Sequence, residues 1–340
     1  VAVRGIDLGG AATVAFVGVA KHSGKTTALG RFVEESAREG NPVGLLSIGV
    51  DGESRDAILG VDKPSVPIVE GSWVVAGDVA LARSTARFEY QQGLGISTPL
   101  GRAYLARATD GGEVVLGGLR HRSDLLEARD TLREAGGERG VRVFIDGAYG
   151  RRVAADGRVA DGVVVSTGAV VAQTPDSIVE ATERLVECLQ IAECDGPIAE
   201  VAARAEAEDR ALFATSGGPR PMPRKSALAG IPTSEDRWPQ GTFGVAIPGA
   251  LTDGVLEDLM QVDGDERSLA AMAPASIRAS REVWRSFADS DWTLQVRYPV
   301  ELLGIAANPV DPTGPGVERG RLRDALRQRW PSVPVFDARR

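Results

Sequence analysis

Short apolar runs recur along this chain, each closed by a polar turn, and stripes at helical spacing lie between several of them. The first run is Thr13–Val19. A polar turn follows, and then Leu29, Phe32, Val33 and Ala37 fall on one helical face, which predicts a helix from about Thr26 to Glu39. Gly40-Asn41-Pro42 has the order that ends a helix. Val43–Ile48, Glu113–Leu116, Val141–Ile145 and Asp161–Thr167 read as further strands. Val141–Ile145 is apolar without alternation, as a strand buried on both faces of a parallel sheet should be. Weaker β-like runs cover Val66–Val69 and Ser72–Val75, and Ala80–Phe88 reads as helical. A helix is predicted from about Asp124 to Ala135, with Asp124 and Glu127 at capping-box spacing. Another begins at Thr174-Pro175, with Thr as N-cap and Pro at the first helical position, and runs to about Ala192.

The pattern changes after Asp195. A helix is expected from about Ala199 to Leu212, followed by a stretch dense in breakers: Ser216-Gly217-Gly218-Pro219, Pro221 and Pro223. Beyond it, Thr242–Ile247, Leu294–Val296, Leu302–Ala306 and Val333–Phe336 read as strands. Leu251–Met260, Glu282–Phe287 and Glu318–Arg329 read as helices. Ser23-Gly24-Lys25-Thr26-Thr27, between the first strand and its helix, has the form of a phosphate-binding loop, so the expected fold class is α/β: a mainly parallel sheet of the P-loop NTPase type flanked by helices, with a second, smaller α/β unit at the C-terminal end. The expected partition is a nucleotide-binding domain over 1–195, a linker or hinge over 196–241, and the C-terminal unit over 242–340.

Bulk properties narrow the function. The chain has 340 residues, enough for about two domains of ~150 residues each. Its net charge of −8 argues against binding nucleic acid, which asks for a basic face. No apolar run is long enough to span a membrane. VAVRGIDLGG lacks the basic-then-apolar order of a signal peptide, so a cytoplasmic location is expected. Two cysteines, Cys188 and Cys194, make neither a metal set nor a disulfide framework. A homo-oligomer is compatible with all of this.

The chemistry concentrates at the turn after the first strand. Ser23-Gly24-Lys25-Thr26-Thr27 joins strand to helix in the manner of a phosphate-binding loop. Amide N–H groups at a helix N-terminus converge on one point, and the helix dipole favours an anion there. Gly24 would let the backbone approach phosphate, Lys25 would reach the β- and γ-phosphates of ATP, and the Thr26 hydroxyl would ligate Mg²⁺. Val19 stands where the usual pattern has its first glycine, with Gly18 one residue early. The alternative is a polar turn that merely contains Gly-Lys-Thr. Lys21 and His22 would also touch phosphate, or else form solvated loop surface.

Other strand ends add candidates, because ligands of open parallel sheets sit outside the carboxyl ends of the strands. Asp51 follows Val43–Ile48, with Glu53 and Asp56 nearby, and would bind Mg²⁺ or orient a nucleophile; the other reading is a solvated turn. Asp146, at the tip of Val141–Ile145, is placed as a second Mg²⁺-organising carboxylate, or as a turn former before Gly147. Ser166, Thr167 and Gly168 either line the nucleotide pocket or form a bare turn. Gly93–Arg102, rich in glycine and hydroxyls, is either a switch or substrate loop or a plain connection. Arg120, His121 and Arg122 either meet an anion or lie in solvent. No histidine follows His121, so Ser-His and Cys-His pairs are absent from the second half.

The stretches FVGVAKHSGKTT, LSIGVDGE, GISTPLG, FIDGA, VVVSTGA and VPVFD, in this order, resemble the P-loop subunit of the lysine 5,6-aminomutase or ornithine aminomutase reactivase family. The resemblance spans most of the chain and is densest from Phe16 to Ala169. It implies an ATP-dependent reactivating factor that serves an adenosylcobalamin-dependent aminomutase together with a MutS-like partner subunit, exchanging damaged cobalamin for intact cofactor. It further implies that Gly24, Lys25 and Thr26 hold phosphate and Mg²⁺, with Asp51 and Asp146 as carboxylates of the metal site. Two other readings stand beside it. One is a dethiobiotin-synthetase-like ligase or small-molecule kinase. The other is a GTP-binding cofactor-insertion protein like the molybdopterin-guanine-dinucleotide adaptor. Against the latter, neither asparagine, Asn41 or Asn308, begins the guanine-reading Asn-Lys-x-Asp.

Overall fold

The structure is a computed structural model that describes residues 2–3, 6–48, 65–137, 140–147, 155–234, 237–262 and 267–339. The chain folds as two compact units, residues 1–183 with 301–340, and residues 184–300.

The first unit is built on a nine-stranded sheet. In chain order its strands are β1 (Thr13–Gly18), β2 (Val43–Ile48), β3 (Trp73–Gly77), β4 (Phe88–Thr98), β5 (Gly101–Ala108), β6 (Arg142–Gly147), β7 (Gly162–Gly168), β8 (Glu301–Asn308) and β9 (Val335–Asp337). Their spatial order is β9-β8-β7-β1-β6-β2-β3-β5-β4. Strands β9 through β3 in that order run parallel. The edge ribbon of β5 and β4 is antiparallel. This is a mixed sheet flanked by helices.

The sequence explains why β1 lies at its centre. Thr13 to Val17 are all buried, as a strand with neighbours on both sides and cover on both faces requires. Helix α1 (Lys25–Arg38) follows it and buries Ala28, Leu29, Phe32 and Val33. Phe32 meets Phe16 of β1 edge-to-face at 5.2 Å between ring centroids, and Phe336 of β9 at 5.7 Å. Phe16 in turn meets Phe144 of β6 at 5.7 Å. These rings fix α1 over the middle of the sheet, and so fix where its N-terminus opens. The chain places β6 on one side of β1 and β7 on the other. Such a switch point leaves a crevice at the carboxyl ends of the strands.

The second unit carries a five-stranded sheet ordered Arg220–Pro221, Leu212–Thr215, Thr242–Ile247, Arg267–Ala271, Trp292–Val296. The last three are parallel. Strand alternation supplies two cores. Leu212, Ala214, Ala246 and Ala270 face the helix Gly196–Ala207. Phe213, Val245, Ile247 and Leu269 pack with Leu256, Trp284 and Phe287, which lie on helices Asp253–Met260 and Arg281–Ala288.

Several expectations are corrected here. The division into 1–195, 196–241 and 242–340 does not match the compact units. Residues 196–241 are no linker, since they contribute a helix and two strands to the second unit, and Leu212 begins a strand where a helix end was expected. Leu302–Ala306 lies within β8, and Val333–Phe336 runs into β9; both complete the first sheet, so they do not belong to a C-terminal unit. The predicted helix at Ala80–Phe88 shrinks to Asp78–Ala82, and Phe88 starts β4. Gly93–Arg102, expected as a loop, is the β4–β5 hairpin, with its tip against Gly77, where a Cβ would collide with the Leu100 carbonyl oxygen. The capping box at Asp124 and Glu127 does not form; the helix Arg122–Ala135 begins after His121 with no side-chain cap. Arg122 instead lies 3.7 Å from the buried carboxylate of Asp156, which Arg158 holds at 2.7 Å. Among the described residues no helix is long and apolar enough to cross a membrane.

Candidate functional site

Strand β1 ends at Gly18, and the next residues make a tight turn onto α1. The Val19 N–H donates to the Ser166 carbonyl at 2.9 Å, which ties the turn to β7. His22 holds a positive φ of 59°, uncommon for a side chain with a Cβ and a mark of an over-determined turn. Gly24 is the N-cap of α1 in the left-handed region, at φ 93° and ψ 12°, and no side chain caps the helix. The first turn of α1 contains no acidic residue. Its leading N–H groups lack intrahelical acceptors, so the helix start is a donor-rich, electropositive spot.

Two glycines allow this geometry. A Cβ on Gly18 would sit 2.5 Å from the Ser23 hydroxyl. A Cβ on Gly24 would sit 2.9 Å from the Asn308 Cβ. Gly18, one residue ahead of the usual pattern, is thus the glycine over which the turn folds back.

Lys25, the first residue of α1, points to the next strand. Its Nζ donates to Asp146 Oδ1 of β6 at 2.7 Å, with the two side chains only 19% and 17% exposed. Asp146 is opposite Phe16 on β1 and Ser47 on β2, near the carboxyl end of both. The Ser47 hydroxyl donates to the Asp146 carbonyl at 3.2 Å. Beneath the turn, Ser23 and Ser166 are buried, and neither hydroxyl has a hydrogen-bond partner among the described residues. Thr26 and Thr27, in the first helical turn, help line an open groove of about 450 Å³ along the flank of α1, with Arg31, Pro67, Ala338 and Arg339. Neither Lys25 nor Asp146 lines it.

Of the expected site residues, Ser23, Gly24, Lys25, Thr26 and Thr27 are gathered at one helix start, and Asp146 reaches them. Lys21 is exposed and His22 half-buried on the turn. Asp51, with Glu53 and Asp56, lies outside the described residues. Ser166 supports the turn through its carbonyl. Thr167 is buried and shares a hydrogen bond of 2.7 Å with Thr182. Gly168 packs against the Asn308 carbonyl, which accepts the Ala169 N–H at 2.9 Å.

Asn308 is a site residue that the sequence pattern alone does not single out. It ends β8, is 3% exposed, donates from Nδ2 to the His22 carbonyl at 3.3 Å, and presses on Gly24. Its one signal in the sequence is a polar residue at the carboxyl end of an apolar strand, as with Asp146.

Among the described residues no three His, Cys, Asp or Glu side chains cluster into a metal site. In comparison with known proteins, the chain matches no family model, no curated protein and no solved structure.

Proposed function

We propose that the chain is a Mg²⁺-dependent P-loop nucleoside triphosphatase that takes ATP. The observation that carries this reading is Lys25, held at an uncapped helix N-terminus and 2.7 Å from a carboxylate at the carboxyl end of the neighbouring strand. On this reading the N–H groups of Gly24 to Thr27 and the Lys25 ammonium bind the β- and γ-phosphates. The Thr26 hydroxyl and the Asp146 carboxylate hold Mg²⁺. Bound there, the ion neutralises charge on the phosphoryl oxygens. The α1-flank groove next to Thr26 and Thr27 is of a size usual for small-molecule sites and has room for the sugar and base. The absence of an Asn-Lys-x-Asp tetrapeptide favours adenine over guanine.

The finer proposal is that hydrolysis remodels an adenosylcobalamin-dependent aminomutase, with a MutS-like partner. It rests on the resemblance of the sequence stretches and on the second half of the sequence having no histidine to pair with a serine or cysteine. Measured alone, the chain should hydrolyse ATP slowly, and a cobalamin-dependent aminomutase should raise the rate. Lys25→Ala should abolish hydrolysis while far-UV circular dichroism stays native. Undiminished hydrolysis by that variant would remove the phosphate-binding assignment. Fast turnover with a small acid or alcohol and no protein partner would replace remodelling by a kinase or ligase.

A further inference from the structure

We infer that one edge of the second unit docks an acidic, leucine-bearing segment of a partner protein, with Arg220 and Arg224 taking its carboxylates and Leu228 its apolar side chain. This surface belongs to residues 184–300, whereas the start of α1 belongs to the first unit. From Ala211 to Ser234 the sequence has three cations, Arg220, Arg224 and Lys225, and no Asp or Glu, in a chain whose net charge is −8. Folding gathers these cations and adds Arg210. Arg220 pairs with Phe213 at the edge of the sheet. The Met222 N–H donates to the Ala211 carbonyl at 3.1 Å, and the Ala211 N–H donates to the Lys225 carbonyl at 2.9 Å. Arg210 donates from Nη2 to the Met222 carbonyl at 2.6 Å, which holds its guanidinium on the same edge. A Cβ on Gly230 would sit 3.3 Å from Arg224 Nη1, so that guanidinium reaches the 3₁₀ turn Ala227–Ala229. Leu228 rides on this turn, 59% exposed, with its N–H donating to the Ser226 hydroxyl at 3.3 Å.

Like charges gathered in this way repel one another and call for counter-charge. The chain's own carboxylates supply little of it. Lys225 meets Asp209 at 2.8 Å, in a pair open to water. Asp258 lies on the other side of Gly230 from Arg224 and accepts the Ile231 N–H at 3.0 Å. Among the described residues the guanidinium groups of Arg220 and Arg224 make no hydrogen bond or ion pair, and the buried Nε of Arg210 has no acceptor. Planar guanidinium forks match carboxylates in two parallel hydrogen bonds. A phosphate ligand would use the arginines and leave Leu228 in water, whereas an acidic segment with an apolar residue uses both. Pro221 and Pro223 lack the N–H that an added strand would need, so side chains and not a backbone ladder make the contact.

The probe is a fluorescein-labelled peptide, Gly-Glu-Asp-Glu-Leu-Glu-Asp-Glu-Gly, titrated with the full chain and followed by fluorescence anisotropy. Wild type should bind it, and more weakly as NaCl rises from about 50 to about 300 mM. Arg220→Gln combined with Arg224→Gln should weaken binding about tenfold. Arg83→Gln combined with Arg87→Gln removes the same charge from exposed positions of the first unit and should bind as wild type does. Leu228→Ser should weaken binding about fivefold, as should a peptide with glutamine in place of leucine. All of these side chains are exposed, so far-UV circular dichroism should stay native. An equal loss in the Arg83 and Arg87 variant would reduce the effect to net charge and overturn the dock. Undiminished binding of the leucine-free peptide would overturn it too, because Leu228 would then take no part. If wild type fails to bind the peptide, the inference fails; a dimer that the Arg220 and Arg224 variant dissociates would then make a second copy the occupant.

Discussion

Replacing Gly24 by alanine tests the packed turn directly. At φ 93° an L residue sits in the left-handed region, at a cost of about 1–2 kcal/mol. The new Cβ would also lie 2.9 Å from the Asn308 Cβ and 3.0 Å from its Cγ. Asn308 cannot easily retreat: its strand pairs with β7, and its carbonyl accepts the Ala169 N–H. Forcing a methyl group into a packed site typically adds about 1–3 kcal/mol. The sum is about 2–5 kcal/mol. Gly40→Ala is the control, because Gly40 holds a φ of 73° and a Cβ there would meet no heavy atom within 4 Å. It should lose the strain alone, about 1–2 kcal/mol. Native-state hydrogen exchange of the α1 amides reads both variants without assuming that two compact units unfold in one step. Equal losses for the two variants, to within about 0.5 kcal/mol, would refute the claim that Asn308 crowds the turn.

Two further outcomes follow from packing and burial. Phe32→Ala removes the ring that joins Phe16 to Phe336 under α1; it should cost about 3–5 kcal/mol and accelerate exchange along α1, and a loss below about 1 kcal/mol would contradict the aromatic core. The Cys194 thiol is pushed up to about 11 from 9.0 by burial, with Arg297 pulling the other way. A raised thiol pKa means that the folded state holds its proton longer, so this group's stabilisation is complete below pH 9.0 and fades between 9.0 and about 11. Cys194→Ala should flatten the pH dependence of second-unit stability across that window, and an unchanged slope would clear Cys194 of any part in it.

The stretch from Thr13 to Arg38 is legible in the sequence because every signal there is local. An apolar run, a Gly-Lys-Thr turn and a helical stripe sit next to one another, and no distant residue is needed to read them. Asp146 is legible for a related reason, as a charged residue that ends a run buried on both faces. The edge ribbon is not. β4 reads FEYQQGLGIST, and most of it is exposed, so it shows neither alternation nor a buried run. With water on both faces and a register that shifts between Tyr90 and Gln92 and between Gly93 and Ser97, the two-residue period has nothing to print itself on. Domain boundaries fail on topology. The runs Leu302–Ala306 and Val333–Phe336 are strand-like in the sequence, but periodicity does not say which sheet a strand joins. That is settled by the pairing of β8 with β7 and of β9 with β8, across an intervening stretch that forms a sheet of its own.

This topology also explains why Asn308 is hard to find from the sequence and why the turn is well determined. Three chain segments form and fix the turn at the start of α1, and a fourth, β6, engages Lys25. The turn itself comes from the early sequence, the Ser166 carbonyl that holds Val19 comes from β7, and the amide that holds His22 comes from β8. The last of these is far away in the sequence, on the strand 301–308. A loop held at one end by its own strand would be free to open. Here Gly24 is pressed from the far side by Asn308, while Lys25 is drawn the other way, to Asp146 on β6. The helix start is thus gripped from both sides of β1, and its backbone donors stand ready for an anion without rearrangement. Preorganised donors of this kind are what phosphoryl transfer asks of a protein, since its catalysis is mostly positioning and charge neutralisation. On the proposed phosphate-binding reading, what would move on binding is one side chain, Lys25, and the carboxylate that holds it.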